Sequence, residues 1–148
     1  MTAKEMFYDD VAVGDEIGPQ EVAVGSQRVR DFIGARFRRG PTMDRFVDDK
    51  AAQEEGLPSA VLPAQLIMAL LSQFLTGWSS TVSLKKLDVV FRQWVLHNTP
   101  VHFKGIITHK QANDGEGEVE CDVFIQQPDG QRLVQAKAVI GLPVRGRY

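Results

Sequence analysis

Pro63-Ala64-Gln65-Leu66-Ile67-Met68-Ala69-Leu70-Leu71-Ser72-Gln73-Phe74-Leu75-Thr76-Gly77-Trp78 is the stretch that decides the architecture. Proline is tolerated in a first helical turn, so the spacing predicts a helix from about Pro63 to Trp78. Its apolar residues leave little of the circumference polar, and such a helix has to be wrapped by other structure. About sixteen residues at ~1.5 Å each give roughly 24 Å, comparable to the width of a sheet of several strands. Gln65 and Gln73 stand out on this surface, because a buried amide needs partners, which a ligand or a facing subunit would supply.

Downstream the apolar period changes from helical to alternating. Val82–Trp94 reads as a long strand and Val101–Lys110 as a second. In a third, Val119, Cys121, Val123 and Ile125 alternate with Glu118, Glu120 and Asp122. Pro128-Asp129-Gly130 is a tight turn, and Leu133–Val144 closes the set with Val134, Ala136, Ala138 and Ile140 on one face. Upstream, Met1–Gly18 reads as an extended lead-in and Glu21–Val24 as a short strand. Ser26 is placed to cap a helix that runs to about Phe37 on Val29, Phe32 and Ile33. Arg36–Asp49 is a polar loop, and a short helix over Lys50–Glu55 stops at Gly56. One strand, a long buried helix and an antiparallel meander make an α+β domain, a sheet curled around a helix with a mostly polar outer face. No repeat or linker divides residues 1–148, so one domain is expected.

Composition narrows the function classes. A net charge of −2 offers no general attraction to nucleic acid or anionic membrane. The apolar stretch Leu62–Leu75 is too short and too interrupted to span a bilayer. The N-terminus is too polar for a signal peptide, and the single Cys121 suits a reducing compartment as a small buried hydrophobe. A cytoplasmic protein is therefore expected. His102 and His109, seven positions apart on a strand, should face opposite ways, and no His or Cys lies at ligand spacing, so no metal is expected. His97 reads as a surface-turn residue in Leu96-His97-Asn98-Thr99-Pro100. The glycines of Asp114-Gly115-Glu116-Gly117 form a hairpin loop, because no strand–turn–helix context follows them.

Several segments, in this order, resemble the MaoC-like enoyl-CoA hydratases of the hot-dog fold. Tyr8-Asp9-Asp10-Val11-Ala12-Val13-Gly14-Asp15 is similar to that family's entrance motif, and Val29–Ala35 to its first helix. Gly56-Leu57-Pro58-Ser59-Ala60-Val61-Leu62-Pro63-Ala64-Gln65-Leu66 corresponds to the segment entering the hot-dog helix. Phe91-Arg92-Gln93-Trp94-Val95, a turn and Val101–Gly105 resemble its strand, turn and next strand. The likeness covers nearly the whole chain.

What the resemblance implies about chemistry is partly absent. Family hydratases carry Asp-x-Asn-Pro-hydrophobic-His in the loop before the hot-dog helix, where Asp and His act on water and the α-carbon of a 2-enoyl thioester. Two alignments are open. Matching Gly40-Pro41-Thr42-Met43 puts Arg38 at the Asp position and Met43 at the His. Counting back from Gly56 puts Pro41 at the Asp and Phe46 at the His. Neither leaves a dyad, and no histidine precedes His97. The Ala-His-Gly that usually opens the helix is here Leu62-Pro63-Ala64. Pro63 has no N–H, but Ala64 and Gln65 do, so Leu62, Pro63, Ala64 and Gln65 are the expected substrate-binding residues at a helix start suited to an oxyanion.

Asp44, Asp48 and Asp49 form an acidic loop near the expected mouth. They read as solvated charges and caps, with a base role for Asp44 or Asp48 as the catalytic alternative. Lys85, Lys86 and Arg92 are the candidates for coenzyme A phosphates. The reading preferred is an acyl-CoA-binding hot-dog protein acting as a non-catalytic or weakly catalytic subunit of a hydratase complex. The alternatives are an active hydro-lyase with relocated acids, an acyl-CoA thioesterase, and a purely binding dimer. The implied partners are an acyl-CoA thioester and a second hot-dog subunit, identical or dyad-containing, with neither nucleic acid nor membrane. Coenzyme A enters as part of the substrate, and no separate cofactor is implied.

Overall fold

The computed structural model describes residues 5–36, 41–113 and 115–146. The elements run β1 (Glu16–Val22), α1 (Ser26–Arg36), a 3-10 turn (Pro41–Phe46), α2 (Asp49–Glu54), α3 (Ala64–Thr76), then β2 (Ser83–Phe91), β3 (Val101–Asn113), β4 (Glu116–Gln126) and β5 (Arg132–Pro143). The five strands form one antiparallel sheet in the order β1-β3-β4-β5-β2, with β1 and β2 at its edges. The α+β reading and the sheet curled around a central helix hold.

Alternation in the strands places the core. Val119, Cys121, Val123 and Ile125 of β4 and Val134, Ala136, Ala138 and Ile140 of β5 are all buried. They meet Leu66, Ile67, Leu70, Leu71, Phe74 and Leu75 of α3 in one hydrophobic cluster. Fully burying a side chain such as Leu71 or Ile140 is worth roughly 1.5–3 kcal/mol, so this helix–sheet contact contributes substantially to stability.

Three elements differ from expectation in their boundaries. Strand β1 starts at Glu16, five residues before the expected Glu21, because Gly18-Pro19 hid it. Gly18 has φ +81° and the Gly18–Pro19 bond is cis, and the ladder with β3 shifts register between Ile17 and Gln20. An edge strand tolerates such an interruption. Pro63 is the N-cap of α3 rather than its first residue, and Gly77 closes the helix before Trp78. Strand β2 stops at Phe91, and Trp94 lies beyond it, 48% exposed.

Other expectations are overturned. Gln65 and Gln73 are not buried amides: with Ala64, Met68, Ala69 and Thr76 they lie on the face of α3 that the single chain leaves exposed. A register shift between Ile107 and His109 reverses the alternation late in β3, so His102 and His109 both lie opposite outer-face residues, Gln126 and Glu120. Ser26 does not precede the helix but lies in its first turn, where Val29 N–H donates to Gly25 C=O. Its hydroxyl engages His97, which is 9% exposed rather than on the surface. No helix is long and apolar enough to cross a membrane, among the described residues.

Candidate functional site

The segment before α3 is a short extended stretch pinned on both sides. Val61 N–H donates to Arg45 C=O (3.1 Å), Leu62 N–H donates to Val95 C=O (2.8 Å), and Val61 bridges Leu96. This lays the start of α3 against the chain leaving β2. Between them opens a cavity of about 400 Å³ lined by Leu62, Ala64 and Ile67 on one side and Phe91, Arg92, Gln93, Trp94 and Val95 on the other. The far wall is held by Leu133, whose carbonyl accepts from the N–H groups of both Arg92 and Gln93 at 2.9 Å.

The helix end supplies the cavity's polar feature. The first intrahelical bond of α3 runs from Ile67 N–H to Pro63 C=O (3.1 Å), so the N–H groups of Ala64, Gln65 and Leu66 have no intrahelical acceptor. Pro63 contributes no side-chain cap. Unclaimed donors on the positive end of a helix favour an oxyanion or a polarised carbonyl. Of the four expected binding residues, Leu62 and Ala64 line the cavity, Pro63 is buried at the cap, and Gln65 turns to the exposed face of α3.

The candidate acids lie elsewhere. Asp48 caps α2, its carboxylate accepting from Lys50 N–H at 3.0 Å. Asp49 accepts from Ala60 N–H at 2.9 Å, and Asp44 is exposed. None lines the cavity. Phe46, one of the two residues aligned with the family histidine, packs on the core under Arg45. Pro41 and Met43 belong by backbone to the 3-10 turn, but their side chains, like Arg38, lie outside the described residues.

Of the phosphate candidates, Lys85 is committed to Glu116 (3.0 Å) and Glu118 (3.5 Å). The hydrogen bond to Glu116 leads in holding its ammonium above the usual lysine range, against the opposing effect of burial. Lys86 faces Asp88 at 3.4 Å. Arg92 is the one that lines the cavity, with a single weak bond to Gln135 at 3.3 Å. Burial pushes the Cys121 thiol up to about 12, so it is no nucleophile. Among the described residues, no group of three or more His, Cys, Asp or Glu is arranged to hold a metal ion.

Sequence reasoning missed Phe91 and Trp94 as walls of the site. Their signal was present: two aromatics three residues apart at the end of an edge strand, 42% and 48% exposed in the single chain.

No family model matches the sequence, and no curated protein matches it either. Solved structures do match in fold. The MaoC-like dehydratase from Rhodospirillum rubrum superposes with a TM-score of 0.80 at 14% identity, over 95% of this chain and 98% of that one. An R-hydratase from Pseudomonas aeruginosa gives 0.78 at 14% identity, over 97% and 89%. The HadBC complex from Mycobacterium tuberculosis, a 3R-hydroxyacyl-ACP dehydratase, gives 0.69 at 19% identity, over 87% and 96%. The chain therefore has the hot-dog fold of these hydratases and dehydratases.

Proposed function

We propose that this chain binds acyl thioesters at the entrance of α3 and serves as a non-catalytic or weakly catalytic subunit of a cytoplasmic enoyl-CoA hydratase or dehydratase assembly. The observation that carries this reading is the chemistry of the cavity wall. It offers apolar surface for an acyl chain, free helix N–H groups for a thioester carbonyl and Arg92 for a phosphate, but among the described residues no His, Asp, Glu, Cys or Lys lines it to move a proton near neutral pH. An active hydratase relying on Asp48 loses support, because that carboxylate caps α2. A thioesterase with its acid on the central helix loses support too, since Ala64–Thr76 contains no Asp or Glu.

The partner follows from the same deficit. A subunit that binds the thioester without acting on it needs a second hot-dog subunit with the dyad, and the HadBC complex is a hot-dog dehydratase built from two proteins. The exposed stripe Gln65, Met68, Ala69 and Thr76 on α3, with half-buried Ser72 between them, and the open edge of β2 are the surfaces such a subunit would cover. The test is co-expression with a dyad-containing hot-dog protein encoded nearby, native mass measurement and a crotonyl-CoA hydration assay. The chain alone should be inactive and the pair active. Turnover by the chain alone on the order of 10 s⁻¹, ordinary for an enzyme, refutes the proposal.

A further inference from the structure

A second cavity, of about 570 Å³, lies on the opposite flank of α3, toward its C-terminal end. It opens where the β1–β3 ladder is interrupted, at Ile17, Gly18 and Gln20. Its apolar surface includes Phe74 and Phe103, packed edge to face at 5.8 Å, and Trp78. Gly18 belongs to the construction: any Cβ there would meet Phe103 O at 2.8 Å and Phe74 at 3.2 Å, so only glycine lets the edge strand pass this close to the aromatic floor.

The polar part is sparse and chemically specific. Gln20 and Gln73 supply two neutral amides, and among the described residues Arg28 is the one charged residue lining the cavity. Arg28 stands in the first turn of α1, the end of a helix where the dipole disfavours a cation, and no described carboxylate is within salt-bridge distance of it. A guanidinium in that position gains by pairing with an anion, and its fork matches a carboxylate. One cation with two neutral amides suits a monoanion; a phosphate dianion would call for more positive charge. The volume falls within the roughly 300–1,000 Å³ of ligand-binding cavities.

We infer that this cavity is a binding site for a small amphipathic carboxylate, an aryl or medium-chain acid whose carboxylate pairs with Arg28 and whose apolar end rests on Phe74, Phe103 and Trp78. The inference is independent of the thioester proposal, since the two cavities share no residue.

The experiment uses the full chain carrying Trp94→Phe, which leaves Trp78 as its one tryptophan and reporter. Titration with 3-phenylpropanoate should change Trp78 fluorescence saturably, while the neutral 3-phenylpropan-1-ol binds at least tenfold more weakly. Arg28→Gln should lower affinity for the acid tenfold or more and Arg28→Lys by less, with thermal midpoints unchanged because Arg28 is exposed. Equal affinity for acid and alcohol, equal affinity in Arg28→Gln, or no saturable change with the acid would each overturn the assignment.

Discussion

His97 Nδ1 lies 3.1 Å from Ser26 Oγ, while its Nε2 lies 3.3 Å from the carbonyl oxygen of Val61. One ring thus joins the first turn of α1, the turn after β2 and the segment that leads into α3. Asn98, held at φ +56°, adds a second bond to Ser26 at 3.2 Å and donates its backbone N–H to Val24 at 2.7 Å. Removing the imidazole leaves a buried carbonyl without this partner and Ser26 with one bond fewer, a cost of about 1–3 kcal/mol. His97→Ala should therefore be destabilised by that amount in urea unfolding. A loss within about ±0.5 kcal/mol, as for an ordinary surface residue, would show that the ring ties nothing together.

Asp48 separates a structural from a catalytic reading by direction of effect. As the cap of α2 it should cost about 1 kcal/mol of stability when changed to Ala, and less when changed to Asn, which also caps. Any residual hydration by the assembled complex should stay the same in Asp48→Asn. A fall of a hundredfold or more in that variant, with the complex still folded, would restore the acid to a catalytic role.

The open stripe on α3 predicts association. Met68 is an apolar side chain 40% exposed near the middle of α3, and Ala69 beside it permits close approach. The chain should sediment as a dimer at micromolar concentration, or as a heterodimer when its partner is present. Met68→Lys should shift it toward monomer, because a charge would be buried without a partner. A wild-type chain that stays monomeric under both conditions contradicts this.

Cys121 reports on the core. Its thiol is raised to about 12 from an ordinary 9.0, with burial the leading cause and Asp122 adding to it. A group whose folded value is raised leaves stability intact below its unfolded value and costs stability as pH climbs between the two. Stability should therefore be insensitive to this thiol below about pH 9 and decline between about 9 and 12. At pH 8 a thiol reagent should label the chain only at the rate of opening of the β-sheet. Rapid stoichiometric labelling of the native chain would contradict that burial.

Legibility in the sequence tracked how local the deciding interactions are. Helix α3 and strands β4 and β5 could be read because burial imposes its period directly on Leu66–Leu75, Val119–Ile125 and Val134–Ile140. Strand β1 was obscured because its glycine and proline mark an interruption that only pairing with β3 explains. The common face of His102 and His109 was hidden because the irregularity after Ile107 depends on the partner strand. The role of His97 depends on Ser26 and Val61, 71 and 36 positions away, and no local pattern encodes such contacts. The entrance residues Leu62 and Ala64 were reachable through the resemblance, whereas Phe91 and Trp94 belong to the site only because β2 returns beside α3.

Ala64 is the position where binding and folding can be separated most cleanly. It opens α3, its side chain lines the entrance cavity, and it is exposed, so a larger side chain can enlarge the surface there without displacing the core. A phenyl ring at this position would fill the space between α3 and the Phe91–Trp94 wall, where the thioester carbonyl is proposed to meet the helix N–H groups. Pro63 lacks an N–H, yet a residue at that place has no intrahelical acceptor in any helix, so the donors that matter start at Ala64. Ala64→Phe should retain the thermal midpoint to within a few degrees and weaken binding of a non-hydrolysable acyl-CoA analogue by tenfold or more in calorimetry. Trp94→Ala should weaken it too, through the opposite wall. Full affinity in a folded Ala64→Phe would place the thioester elsewhere in the assembly, at a site supplied by the partner subunit.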